Sequence, residues 1–142
     1  MILAPVILAL GALLTTAATV PPPRPPGPDE GLVYFYNTIG AKPTKIRTMI
    51  KVDGRMVAYL EVRQHTRIYL KPGEHTLQTS GGGLFGPKFP IEVVGGQTHY
   101  IRFVGEGIGS IIIPDVTEPP VEEAKAELKG SAYVKPKKEW LK

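Results

Sequence analysis

Residues 50–79 read IKVDGRMVAYLEVRQHTRIYLKPGEHTLQT, and this stretch decides the fold class. Apolar and polar residues alternate in runs of five to seven, broken by Asp53-Gly54 and Pro72-Gly73. Alternation with a period of two belongs to half-buried strands, not helices. Asp-Gly between two such runs suits a two-residue type I′ hairpin turn, because both central positions need positive φ. Pro-Gly suits a type II turn, with proline first and glycine at the position of positive φ.

The same pattern extends outward on both sides. Strands are expected at 32–36, 46–52, 55–62, 67–71, 75–79, 89–94, 98–104 and 108–113, with Gly95-Gly96 as a further turn. In Thr98 to Phe103, His99, Ile101 and Phe103 fall on one face, with Tyr100 and Arg102 on the other. Only Val121 to Leu128, VEEAKAEL, reads as a helix, with Glu122 and Glu123 in its first turn and Lys129 at its end. The expectation is an all-β domain: a small antiparallel β-sandwich of Ig-like or PEGA-like type, about 7–8 strands with one short C-terminal helix.

Four regions follow along the chain. Residues 1–18 are expected to be a signal peptide or membrane anchor, because ILAPVILALGALL (2–14) is uncharged and apolar and TTAAT follows it. Thr16 and Ala18 would be the small residues of a cleavage site after Ala18. An uncleaved form would approach the length that spans a bilayer. Residues 19–30 form a proline-rich linker, VPPPRPPGPD over 20–29, which favours extended polyproline II and acts as a spacer. Residues 31–130 form the sandwich, enough for one core without disulfides or metal. Residues 131–142 form a basic C-terminal tail carrying Lys135, Lys137, Lys138 and Lys142, read as soluble and frayed.

The chain has a formal charge of +4 and no cysteine. Disulfides, thiolate zinc sites, a cysteine nucleophile and lipid attachment at an N-terminal cysteine are therefore excluded.

Beyond these patterns, the succession VYFY (33–36), IKVDGRMVAYL (50–60), LKPGEHTLQT (70–79), IEVVGGQTHYIRF (91–103) and IIIPDVTEPPVEEAKAEL (111–128) resembles the bacterial domain of unknown function 2846. It is also similar, more weakly, to PEGA-type β-sandwich domains. Members of the first family are often predicted lipoproteins, so the resemblance implies an envelope location. The family has no established activity, and the resemblance supplies no site. This chain has LLTTAA where a lipobox cysteine would stand.

No catalytic motif emerges. His65, His75 and His99 lie 10 and 24 residues apart and match no ligand spacing, so hydrogen-bonded structural roles are expected and no metal site. Asp53, Glu61, Glu74 and Glu92 fit turns, strand ends or solvent faces; Glu106 and Asp115 complete the set of candidate carboxylates. Ser80, Ser110 and Ser131 have no nucleophile-elbow context. The glycine-rich SGGGLFGPK (80–88) lacks the strand-to-helix setting of a phosphate loop and reads as a hairpin loop. Its apolar Leu84 and Phe85 are the candidate partner-binding residues. Strand alternation splits the aromatic and basic residues of Tyr100 to Phe103 between faces, which argues against nucleic acid.

The expected function is a non-enzymatic, exported interaction or structural module of the periplasm or envelope. It would bind a protein partner, another envelope protein, through a sheet edge or the 81–87 loop, with membrane contact through the N-terminal segment. No cofactor and no particular small molecule is implied. The alternative is a small-ligand or carbohydrate binder using Tyr34, Tyr36, Tyr59, Tyr69 or Tyr100; a hydrolytic enzyme is the third reading.

Overall fold

A computed structural model describes residues 22–38, 47–81, 84–104, 107–108, 111–112 and 115–141. Two sheets face each other across the core. The strands are β1 (Gly31–Asn37), β2 (Thr48–Val52), β3 (Arg55–Leu60), β4 (Gln64–Leu70), β5 (Gly73–Gly81), β6 (Leu84–Val93) and β7 (Thr98–Val104). They continue as β8 (Gly107–Ile108), β9 (Ile111–Ile112), β10 (Asp115–Thr117), the helix α1 (Val121–Lys129) and β11 (Ala132–Tyr133). The first sheet has the order β10-β7-β1-β4-β11, the second β3-β2-β5-β6, and β8 pairs with β9.

The all-β sandwich is therefore the fold; among the described residues it has one α-helix and nine strands in its two sheets, against the seven or eight expected. The two strands that the sequence pattern did not mark, β10 and β11, are short, and β8 and β9 form a separate pair outside both sheets. The run expected as one strand at 108–113 holds β8 and β9, paired to each other. Gly109-Ser110 lies between them in the sequence, and such a pair interrupts strands.

The expectation of purely antiparallel sheets holds for the second sheet only. In the first, β1 runs parallel to β7 and β4 parallel to β11. The reason lies in the connections. At Pro72-Gly73 and at Gly95-Gly96 the chain passes from one sheet to the other instead of turning back beside its own strand. A strand that arrives by crossing over is free to run with its neighbour. Asp53 and Gly54 take φ of 51° and 78°, both positive as the β2–β3 turn requires.

Alternation sorts the side chains as the sequence pattern predicts. Val33, Phe35, Ile68, Ile101 and Phe103 of the first sheet pack against Ile50, Val52, Leu60, Leu77 and Ile91 of the second. The register shifts between Ile50 and Lys51, so that Val57 on the edge strand β3 stands opposite no residue of β2.

Both ends of the described chain, from residue 22 and up to residue 141, are built into this frame. Residues 131–141, expected as a frayed tail, instead close one side of the sandwich. β11 pairs with β4, and the Val134 N–H donates to the His65 carbonyl at 2.8 Å. The segment then crosses to the second sheet, where the Lys137 N–H reaches the Val57 carbonyl at 2.9 Å and the Trp140 indole N–H reaches the Met56 carbonyl at 2.8 Å. Pro136 is buried, and Val134 and Trp140 pack on the core. Apolar contact outweighs the solvation of the neighbouring lysines.

The second half of the expected spacer is likewise docked. The Tyr69 hydroxyl donates to the Arg24 carbonyl at 2.7 Å, and the Gly96 N–H is shared between the carbonyls of Gly27 and Glu30. Gly95 packs directly beneath this segment, and a Cβ there would stand 2.1 Å from the Pro28 carbonyl oxygen. Gly95→Ala is accordingly expected to destabilise the fold by about 1–3 kcal/mol in urea denaturation. Gly27→Ala, whose added carbon meets nothing within 4 Å, is expected to leave it unchanged.

Candidate binding face

The register of the first sheet gathers most of the chain's tyrosines on its outer face. In β1, Leu32, Tyr34 and Tyr36 point away from the core, opposite Tyr69, Arg67 and His65 on β4 and Thr98, Tyr100 and Arg102 on β7. Tyr34 and Tyr100 stack at 5.3 Å between ring centroids with planes 18° apart. His65 lies 6.2 Å from Tyr34 and 5.7 Å from Tyr133, which β11 adds to the row. Arg67 lies over the Tyr133 ring at 4.8 Å, and Arg24 over Tyr69 at 4.0 Å. The side chains of Tyr34, Tyr69, Tyr100 and Tyr133 are half-buried: Tyr34 and Tyr100 lie face to face, and Arg24 and Arg67 lie over one face of Tyr69 and Tyr133.

One end of this face is closed by α1. The Arg102 guanidinium donates to Glu123 at 2.9 Å and Glu127 at 2.8 Å, and also to the Thr117 hydroxyl. The Tyr36 hydroxyl donates to Glu127 at 3.2 Å. Burial first, then the Glu127 carboxylate, pushes the Tyr36 phenol well above its ordinary range. Tyr36 is 1% exposed and serves to seat the helix. Tyr59 is 45% exposed on β3, in the other sheet, and takes no part in the row.

The other end opens into two adjoining clefts of about 200 Å³ each, which share Tyr69 and Trp140 as walls. The first cleft holds two ion pairs, Arg55 with Glu139 and His75 with Asp53, and is also lined by Lys71. The second is lined by Pro23, Arg24, Arg67, Tyr133 and Leu141 besides the shared residues, none of them acidic.

Each histidine has a local partner. His65 Nδ1 lies 3.0 Å from the Ser131 hydroxyl, and burial, reinforced by Arg67, lowers its pKa. The His65–Ser131 pairing was not legible in the sequence, but among the described residues no carboxylate orients the ring. His99 Nε2 accepts the Val94 N–H at 3.0 Å. His75 Nδ1 meets Asp53 Oδ2 at 2.6 Å and Nε2 meets the Lys71 carbonyl at 2.7 Å. A carboxylate and a carbonyl only accept, so the protonated ring, with a donor on each nitrogen, satisfies both partners. The nitrogen that would serve as a general base is thereby committed to the backbone.

Among the described residues, no three His, Asp or Glu side chains converge as a metal site. The backbone of Leu84 and Phe85 belongs to β6, paired with Gly81 and Ser80, so the expected loop begins inside a hairpin. Their side chains lie outside the described residues, as do Glu106 and Ser110. Sequence reasoning missed Arg24, Arg67, Tyr133 and Trp140 as parts of one surface. The signal was present in the tail, where Tyr133, Val134, Trp140 and Leu141 are too apolar for a solvated end.

No protein-family model matches the chain, and no curated protein matches it.

The His75 pair carries a pH dependence. Burial pushes the imidazole down, but its hydrogen bonds to Asp53 and to the Lys71 carbonyl raise it further. For Asp53, burial pushes up and the bonds from His75 and the Thr76 N–H bring it below its ordinary value. A raised imidazole contributes stability that is complete below its unfolded value, about 6.5, and is lost as pH rises through the folded one. The melting temperature difference between the native chain and His75→Gln is therefore expected to be larger at pH 6 than at pH 9. An equal difference at both would show that the ring is uncharged.

Proposed function

We propose that this chain is a non-enzymatic binding module of the bacterial envelope, exported by its N-terminal segment, that takes a glycan on the outer aromatic face of the first sheet. The observation that carries the reading is the row Tyr100–Tyr34–His65–Tyr133, in which Tyr34 and Tyr100 stack, His65 lies tilted between Tyr34 and Tyr133, and every ring is half-buried. Rings preordered in this way lose little conformational freedom when an apolar sugar face is laid on them. Polar reach comes from Arg67 beside the row. The envelope setting draws on the apolar segment at 2–14 and on the resemblance to the domain of unknown function 2846.

Strand addition at a sheet edge has less support. The β3 edge is covered by the Lys137–Trp140 segment. The β6 edge carries Pro87, Lys88 and Pro90, residues that blunt an edge against further pairing. A second reading keeps a protein partner, docked through Leu84 and Phe85. It is favoured by the position of β6 as the outermost strand of its sheet.

Titration of the purified chain with chito-oligosaccharides and soluble cell-wall glycan fragments, followed by the tyrosine resonances, separates the two. Tyr34→Ala or Tyr100→Ala is expected to weaken binding about tenfold, and the double variant Leu84→Ser, Phe85→Ser to leave it unchanged. No saturable binding to any glycan, together with an envelope protein crosslinked to the native chain and lost in the double variant, would replace the first reading by the second.

A further inference from the structure

The proline-rich segment sits on the domain as a bound peptide sits in a groove. Residues 22–27 read PPRPPG, and proline fixes φ and removes backbone donors, which favours polyproline II. That helix has three residues per turn, and burial follows the same period. Pro23 and Pro26 are half-buried, whereas Pro22, Arg24 and Pro25 are exposed.

The domain meets this segment with contacts of different kinds. Pro23 enters a cleft walled by Tyr69, Tyr133, Trp140 and Leu141. The Tyr69 hydroxyl donates to the Arg24 carbonyl at 2.7 Å. Arg24 itself lies over the Tyr69 ring and is paired through both terminal nitrogens with the Glu30 carboxylate. Glu30 is held with the domain, because its carbonyl accepts the Gly96 N–H at 2.8 Å and β1 begins at Gly31. Aromatic walls, a hydroxyl for a backbone carbonyl and a carboxylate for an arginine together suit a proline-rich peptide.

The hold on the segment is light. The Arg24 and Glu30 side chains are 50% and 25% exposed, and ion pairs at the surface contribute little. A segment held in this way opens locally at small cost. The adjoining cleft, about 200 Å³, continues past Tyr69 and Trp140, and none of residues 22–30 lines it.

We propose that this groove recognises a proline-rich segment of a partner protein, with an arginine between its prolines, and that residues 22–26 occupy it in cis as a stand-in. The partner's arginine takes the Glu30 carboxylate that Arg24 releases, and a longer run reaches past Trp140 into the adjoining cleft. A second copy of this chain is the poorer occupant. It offers the same contacts and lacks the effective concentration that tethering gives. The inference is independent of the glycan reading, which stands on Tyr34 and Tyr100.

A free peptide of residues 20–29, VPPPRPPGPD, is titrated into the full chain. The emission of Trp140, the only tryptophan, reports occupancy of the groove. Pro23→Gly with Pro26→Gly loosens the tethered segment and leaves the walls intact, so this double variant is expected to bind the peptide about tenfold tighter than the native chain. Adding Tyr69→Phe is expected to weaken that binding about fivefold. A peptide with glutamine for its arginine is expected to bind about threefold more weakly.

No saturable binding to a folded double variant, or equal binding of a peptide with alanine for every proline, would overturn the proposal. Should the double variant unfold, the native chain decides at about 5 mM peptide, above the effective concentration of a short tether. A saturable change in Trp140 emission there supports the groove, and no change overturns it. Dimers of the native chain that are lost in the double variant would assign the groove to a second copy and overturn the partner assignment.

Discussion

The closure of the sandwich along β3 and β4 is the constraint on which the rest depends. Two stacked sheets leave open sides, and an edge strand presents unpaired backbone groups that seek partners. Here β4 is covered by β11, and the bulged β3 gives its Val57 and Met56 carbonyls to the Lys137 amide and the Trp140 indole. The bulge is what makes this possible. A residue with no opposite number in β2 turns a backbone acceptor outward, and one short segment then ties both sheets together. Without it, β3 would end in solvent and the core residue Val57 would lose its cover.

The candidate site follows from that closure. β11 carries Tyr133 into the row of rings on the first sheet, and the turn after it brings Trp140 and Leu141 to the clefts. From the other direction, docking of Arg24 on Tyr69 fixes the opposite wall. The segments around Arg24 and Trp140 thus meet at one end of the aromatic face, while α1 seals the other through Arg102, Glu123 and Glu127. The face itself is a consequence of register: parallel pairing of β1 with β7 sets Tyr34 against Tyr100.

Much of this was legible in the sequence, and what was not has physical causes. Asp53-Gly54, the alternation of Thr98 to Phe103 and the helix at Val121 are local, and each resides in a few neighbouring residues. The parallel pairs are not local: Gly95-Gly96 reads as a turn whether the chain returns beside its own strand or crosses to another sheet. The chain ends were misread for a different reason. Proline-rich and lysine-rich composition describes a segment's own preference for solvent, whereas the docking of Arg24 to Glu30 and of Val134 to Trp140 depends on surfaces supplied by residues far away in sequence. The tyrosines were candidates from composition, but only the register separates Tyr34 and Tyr100, side by side on the face, from Tyr59 on the other sheet.

Amide hydrogen exchange on the full chain tests the closure most directly, because exchange rates report which backbone groups are held by structure. The account predicts that the Val134 and Lys137 amides, bonded to the carbonyls of His65 and Val57, exchange as slowly as the central amides of β4. Rapid exchange at both positions, with the β4 amides still protected, would mean that the C-terminal segment does not close the sandwich, and the cleft and the row through Tyr133 would lose their foundation.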